Sequence, residues 1–487
     1  METDPMRDCP TLQLIGGEWR HAADGATAAV VDPATELAIA DVPFGGAADA
    51  VLAVDAASDA FDGWSAKTAY QRADVLRTAA ALLRERRDRL ARVTTLESGK
   101  PLAESKGEWT VAADLFDWFA EEAKRSYGRV IPAKLPGRRL MTLAQPLGVV
   151  GVITAWNFPA YNPARSIAAA LAAGCTVVCR PADETPLSAF AMAEALVDAG
   201  LPTGVLNVIN GDASAMAAAM MADARLRKLS FTGSTEVGRL LIRQSADTVT
   251  RVSLELGGNA PVIAEPDAVR SAGVEAFARA AVTARFRNAG QVCVAPQRFY
   301  VHSAVFEEFV AAAEPLVRGY RVGPGIEPTT DLGPLINAKQ RERVERLLAA
   351  PHGGRVLCGG DRPADRPAGC FLRPALVAGV ETGSALWREE TFGPVLAATP
   401  YDDLDAAIGD ANSLEAGLAA FVFTHDLDRA THAWERLEFG LVAVNGWAPH
   451  ATEAPFPGWK QSGVGAESGP EGLAEYQETK VVSTFLS

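Results

Sequence analysis

Of the six cysteines in the chain, Cys293 stands in the setting best suited to nucleophilic chemistry. It closes the run Phe286-Arg287-Asn288-Ala289-Gly290-Gln291-Val292-Cys293, and a strand-like segment, residues 299–302, follows. Glycine lets the backbone approach a ligand closely, and a cysteine on such a loop is exposed enough to react. Taken alone, a lone cysteine is more often a small buried hydrophobe. Glu255 supplies a candidate base: it sits between strand-like residues 251–254 and Gly257-Gly258. A hydrolysable acyl-enzyme needs a carboxylate that can deprotonate water; the plainer reading of Glu255 is a surface glutamate. In Thr154-Ala155-Trp156-Asn157-Phe158-Pro159, the Asn157 amide could donate to a developing oxyanion, a contribution of about 3–4 kcal/mol to a barrier. Its plainer reading is a turn former before a proline. Finally, Phe231-Thr232-Gly233-Ser234-Thr235-Glu236-Val237-Gly238 reads as a strand, a glycine turn and a helix start. Free N–H groups at such a start suit a pyrophosphate, although this is not the GxGxxG of ordinary dinucleotide folds.

These residues need elements to hold them. Short Val- and Ile-rich runs at 149–155, 176–179, 205–209, 228–231 and 261–264 alternate with helical stretches at 164–173, 187–199, 213–221 and 236–245. That alternation predicts an α/β protein with a parallel sheet covered on both faces. Ligands sit at the carboxyl ends of such strands, where Asn157, Arg180 and Gly233 fall. Before this region, residues 68–98 read as one or two long helices, with Leu76, Ala79, Leu82, Leu83 and Leu90 at helical spacing among many arginines. A second alternating block follows Gly258, with a strand at 299–302 and helices at 338–348 and 403–410. Residues 129–144 and 479–486 are β-like and stand apart, able to pair with each other or with another subunit.

Composition narrows the function classes. At 487 residues, 48% hydrophobic and 22% charged, the chain has the makings of two or three compact domains. A net charge of −14 argues against a nucleic-acid partner. No apolar run approaches the roughly 20 residues of a spanning helix, and residues 1–10 lack the apolar region of a signal peptide. The cysteines show neither a paired zinc-type spacing nor a disulfide framework. No metal is expected, and a reduced, cytoplasmic protein is.

Together and in this order, the motifs closely resemble the aldehyde dehydrogenase superfamily, from about Leu14 to the last strand. Glu389-Glu390-Thr391-Phe392-Gly393-Pro394, Pro334-Leu335-Ile336-Asn337 and Trp459-Lys460-Gln461-Ser462-Gly463 add to the match. The resemblance implies two parallel-sheet Rossmann-type domains plus a small β oligomerisation element. Residues 1–128 and 146–256 would then bind NAD or NADP, 257–445 would carry the nucleophile, and 129–145 with 446–487 would bridge subunits of a homodimer or homotetramer. It implies that Cys293 attacks the aldehyde, that the Asn157 amide and the Cys293 N–H hold the oxyanion, and that Glu255 activates water to release the acid. Cofactor contacts carried over are Trp156, Arg180, Asp183, Gly233, Ser234 and Leu256, with Glu390 on the nicotinamide ribose and Phe392 beside the ring.

Within the superfamily the texture is most similar to succinate-semialdehyde dehydrogenases. The two arginines that bind the substrate carboxylate in that group match Arg165 and Arg287 here, which points to succinic semialdehyde. Each arginine could instead be a surface residue or an ion-pair partner. The chain departs from the pattern at four places. Arg180 replaces a ribose-binding lysine and suits a 2′-phosphate, whereas Asp183 opposes one, so the cofactor preference stays open. Ser166 replaces a lysine sometimes assigned to a proton relay. His450 stands where the group has a carboxylate-binding serine, and would bind substrate or reshape the pocket for another anionic, aromatic or aliphatic aldehyde. The stretch from Glu255 to Cys293 is a few residues long, and the surplus is expected in a surface loop at 267–274. Two other readings compete: a cysteine hydrolase using His302 or His450, which leaves Gly233, Glu390 and Phe392 without purpose, and a non-catalytic nicotinamide-binding protein. Cys175, Cys179 and Cys358 are expected to have no redox role.

Overall fold

The computed structural model describes residues 9–485, so most of the opening segment and Leu486 lie outside it. An eight-stranded sheet carries the first alternating block. Its strands lie side by side in the order Glu18–Arg20, Gln13–Ile15, Leu206–Val208, Thr176–Arg180, Val149–Ile153, Leu226–Thr232, Arg251–Glu255 and Gly463–Val464. Every residue of Val149–Ile153 and Thr176–Arg180 is buried, as expected of strands covered on both faces. The parallel register sets Ile153 beside Arg180 and Phe231, and Thr232 beside Glu255. The carboxyl ends of these strands therefore form one edge, from which the segment Thr154 to Asn157, Gly233 and Glu255 all emerge.

The second alternating block forms a seven-stranded sheet in the order Arg355–Cys358, Ala375–Ala378, Val395–Tyr401, Pro296–His302, Ala260–Ala264, Ala419–Phe423 and Leu441–Val444. Here Cys293 lies just before Pro296–His302 and Phe392 just before Val395–Tyr401, strands that are paired in parallel. Both residues thus enter at the amino edge of the second sheet. The site forms where that edge meets the carboxyl edge of the first sheet, across the short link Gly257-Gly258.

The two β-like segments pair with each other. Arg138–Pro146 and Gln477–Phe485 run antiparallel from Pro146 beside Gln477 to Arg138 beside Phe485, with Val130–Ile131 on the far side. Residues 68–98 form two helices, Ala69–Glu85 and Arg87–Ser98. The Thr68 hydroxyl caps the first, accepting from Gln71 N, and Gly99 ends the second at φ 78°. One expectation fails: residues 267–274 are not a loop. They form most of the helix Pro266–Ala272, started by Pro266 at its first turn and stopped by Gly273 at φ 82°. Its inner face, Ala268 and Val269, packs into the core, so the surplus residues extend a helix. Among the described residues no helix is long and apolar enough to cross a membrane.

Candidate active site

Where the two edges meet lies a cavity of about 540 Å³, the size of a small-molecule site. Cys293, Glu255 and Asn157 line it together with Trp156, Arg165, Gly233, Ser234, Leu256, Arg287, Glu390, Phe392 and His450. Of the residues expected from sequence, only Arg180 and Asp183 lie off its wall.

Cys293 is half-buried at the end of a strained loop. Asn288, Ala289 and Gly290 adopt positive φ angles of 50°, 52° and 74° in succession. A Cβ on Gly290 would stand 2.3 Å from Gly393 O, so this position requires glycine twice over. The conformation is pinned by Gln291, whose amide donates to Asn288 O (3.1 Å) and accepts from Ile336 N (3.0 Å). Burial pushes the Cys293 thiol up to about 12; Arg165 opposes the shift, while Glu255 and Glu390 add to it. In the free cavity the group is a neutral thiol, and it needs a base to become a nucleophile.

Asn157 is held from both ends. Its Oδ1 accepts from Asn162 Nδ2 (3.2 Å), which orients the amide so that Nδ2 donates to Gln291 O (3.1 Å). An amide nitrogen has two hydrogens, so one remains for a ligand. Its backbone oxygen accepts from Lys100 Nζ (2.7 Å) and Asn288 Nδ2 (2.9 Å), tying this strand end to the cysteine loop. Lys100 is paired with Glu108, and both side chains are only 1% exposed. Glu108 in turn accepts from Ala160 N and Tyr161 N at the start of the helix Tyr161–Ala173. Sequence reasoning missed this pair, because both residues sit in a charge-rich stretch that reads as solvated. Lys100→Met is expected to lower folding stability by about 3 kcal/mol, since it strips a buried carboxylate of its counter-ion. The shift of the urea midpoint measures this, and an unmoved midpoint would remove the pair from the account.

Glu255 ends its strand 4% exposed, and its Oε2 finds no donor among the described residues. Burial raises its pKa well above the ordinary carboxyl value; Arg165 opposes the rise and Glu467 adds to it. Such a carboxyl, with an oxygen unpartnered among the described residues, holds a proton more readily than an exposed glutamate and suits a role in proton transfer. Arg165 is itself paired with Glu467, and both are 2% exposed. Ser166, at the position of the family's lysine, donates with Ser230 to the same Glu467 (3.0 and 2.7 Å).

Arg287 differs from Arg165. It is exposed at the cavity wall, stacks on Phe158 at 5.1 Å, and joins no carboxylate in an ion pair among the described residues. Burial, then Arg287 and Arg165, push His450 down to about 4, so its imidazole is neutral. Its buried Nδ1 has no partner among the described residues.

On the opposite wall Glu390 accepts from Gly258 N (3.0 Å), and burial raises it to about 7. Phe392, at φ 48°, meets Trp156 edge-on with ring centroids 5.4 Å apart. A Cβ on Gly257 would lie 2.9 Å from Glu390 Oε2, so the link residue must be small. Ser234 caps the helix Thr235–Ser245 through Val237 N, leaving an amino-terminal dipole near Gly233. Away from this wall, Arg180 is tied to Asp183 and to Gly211 O (2.7 Å), with its Nε orphaned and buried.

The sequence profile of the Aldehyde dehydrogenase family matches residues 19–482. An NADP-dependent succinate-semialdehyde dehydrogenase of Escherichia coli is 43% identical over 97% of each chain. A non-phosphorylating aspartate-semialdehyde dehydrogenase of Halomonas elongata is 45% identical over 96% of this chain and 94% of its own. The crystal structure of a succinate-semialdehyde dehydrogenase from Burkholderia pseudomallei superimposes with a TM-score of 0.96 at 41% identity, covering 99% of both chains.

Proposed function

The chain belongs to the aldehyde dehydrogenase family, and from that premise we propose that it oxidises succinic semialdehyde to succinate with NAD or NADP, through a thioester on Cys293. The observation that carries the substrate assignment is Arg287, an exposed guanidinium that joins no ion pair among the described residues, although Glu104 lies near it, on the wall of the cavity that holds Cys293. A guanidinium that is in no ion pair and lies beside an aromatic ring suits a carboxylate. Arg165 lies deeper, and Glu467 already neutralises much of its charge, so Arg287 bears the greater share of substrate attraction. Neutral His450, which lines the same cavity and feels both arginines, adds an N–H donor.

The mechanism follows from the side chains. A base deprotonates the Cys293 thiol, which attacks the aldehyde carbon. The free Asn157 N–H and the Cys293 backbone N–H stabilise the resulting oxyanion, a contribution of about 3–4 kcal/mol for one such donor. Gly233, Ser234, Leu256, Glu390, Phe392 and Trp156 would hold the dinucleotide, with Arg180 and Asp183 at its remote end. The orphaned Arg180 Nε and the small Gly257 beside Glu390 fit that assignment. When bound, the nicotinamide supplies the two-electron oxidant. Glu255 then draws a proton from water, which attacks the thioester and releases the acid. The exposed sheet edge at Gln477–Phe485, with Val481 64% and Phe485 67% exposed, suits pairing between subunits of a homo-oligomer.

A second reading, a different carboxylate-bearing semialdehyde, is favoured by His450 in the substrate pocket and by the aspartate-semialdehyde relative. Initial rates with succinic semialdehyde, aspartate semialdehyde and uncharged butanal, each with NAD and NADP, decide between them. Succinic semialdehyde is expected to give the highest kcat/KM. Arg287→Met is expected to raise its KM by roughly 10- to 100-fold, the loss of a charged hydrogen bond, with little effect on butanal. Equal use of butanal by the unaltered enzyme would overturn the carboxylate assignment while leaving the dehydrogenase.

A further inference from the structure

We infer that Glu467 is a specificity-determining residue: by engaging Arg165 in a buried ion pair, it lowers the positive charge at the end of the cavity lined by Arg165 and Arg287 and fits that end to aldehydes carrying a single remote negative charge. This rests on the reading that Arg165 and Arg287 face the substrate's anionic end.

The geometry supports it from three sides. The guanidinium of Arg165 is covered by the rings of Tyr161 at 5.2 Å and Phe456 at 4.7 Å, while its Nε meets Glu467. A planar fork covered and engaged in this way keeps only its terminal amino groups for the cavity that Arg165 lines. Glu467 is no mobile surface acid. It lies on the short strand Ala466–Glu467, directly across from Phe456 in the antiparallel pair with Phe456–Pro457. One hairpin therefore delivers both the ring that stacks on Arg165 and the carboxylate that neutralises it. Ser166 and Ser230 hold that carboxylate by two hydroxyl hydrogen bonds. Although burial opposes its charge, Arg165 is kept protonated by Glu467, Tyr161, Glu255 and Cys293.

The charge balance then has a consequence for ligands. Engaged with Glu467, Arg165 attracts a ligand anion less than Arg287, the guanidinium on the cavity wall that joins no ion pair among the described residues. Without that carboxylate, the buried Arg165 loses its ion-pair partner and keeps only the weaker attraction of groups such as Glu255, so it draws more negative charge from whatever enters the cavity. Removal of Glu467's charge thus favours a dianionic end group over a monoanionic one.

The test compares kcat/KM for succinic semialdehyde with that for its phosphonate analogue, 3-phosphonopropanal, at pH 7.5. The unaltered enzyme is expected to prefer the carboxylate. Glu467→Gln is expected to shift the phosphonate-to-carboxylate ratio upward by at least about 10-fold, an energy of one ordinary charged contact, and Glu467→Asp to restore it. The ratio is independent of the folded fraction, so a merely structural role leaves it unmoved. A proportional loss on both substrates would overturn the inference. Should Glu467→Gln fail to fold, Ser230→Ala loosens the same carboxylate. A smaller shift in the same direction would then support the inference, and an unchanged ratio would sink it. If the unaltered enzyme used butanal as well as succinic semialdehyde, the proposed function would fail first, and visibly so.

Discussion

Cys293→Ala is expected to lower steady-state turnover by about 10⁴-fold or more while leaving dinucleotide binding intact. No other cysteine can substitute: Cys9, Cys175, Cys179, Cys358 and Cys370 are all buried, and only Cys293 opens on the cavity. Loss of a covalent nucleophile removes the whole acyl-transfer route and not one contact within it, so the effect is far larger than that of a positioning change. Binding should survive because most residues proposed for the dinucleotide, Trp156, Gly233, Ser234 and Leu256, follow strands of the first sheet, and Glu390 and Phe392 stand on a different segment of the second from Cys293. Cofactor titration by fluorescence and initial-rate assays separate the two effects. Retained turnover in the alanine variant would move the nucleophile elsewhere. The neutral state of the thiol adds a pH signature. With its pKa near 12 in the free cavity, alkylation of Cys293 should be slow at pH 7 and accelerate as pH rises.

The sequence carried the frame because its signals were local. The Val149–Ile153 and Thr176–Arg180 strands are continuous apolar runs, and the helices between them carry helical spacing, so alternation alone fixed a parallel sheet. Cys293, Glu255 and Asn157 were visible for a related reason: each sits in a short run of distinctive residues next to a strand end. What escaped is non-local. The Ser166–Glu467 hydrogen bond spans 301 residues, and neither end carries a pattern that names the other. The sequence therefore left Arg165 open between a carboxylate binder and an ion-pair partner, and the acid it pairs with comes from the distant strands Phe456–Pro457 and Ala466–Glu467. Lys100 and Glu108 were hidden differently: a charge in the turn after one helix and a charge on the next look solvated unless the packing around them is known, yet both are almost wholly buried. The misplaced loop at 267–274 reflects the weakness of a short helix as a signal, where Pro266 and Gly273 were punctuation marks of a helix, not of a turn.

Glu255→Gln is expected to separate the two halves of the reaction. The amide keeps the size and place of the carboxyl but cannot take a proton from water, so acylation of Cys293 proceeds and hydrolysis stalls. A single burst of reduced cofactor, about one per site, should precede a steady-state rate lowered by about 10²- to 10⁴-fold, the range for loss of a positioned base. The unaltered enzyme should show the same dependence in its pH profile. Burial holds the Glu255 pKa well above the ordinary carboxyl value, with Arg165 pulling it back and Glu467 pushing it higher. Only the ionised form accepts a proton. Where hydrolysis limits turnover, the rate must therefore fall as pH drops through that raised pKa, and it does so at a higher pH than an exposed glutamate would give. In Glu255→Gln this acid limb should disappear from the residual rate. The burst also tests the alternative assignment of Glu255 as the base that activates the thiol. If the amide variant shows no burst and alkylates Cys293 more slowly at neutral pH, Glu255 serves the attack and not the release. A burst of full amplitude followed by an undiminished steady state would remove it from both steps, because neither the attack of the thiol nor the release of the acid would then depend on its carboxylate.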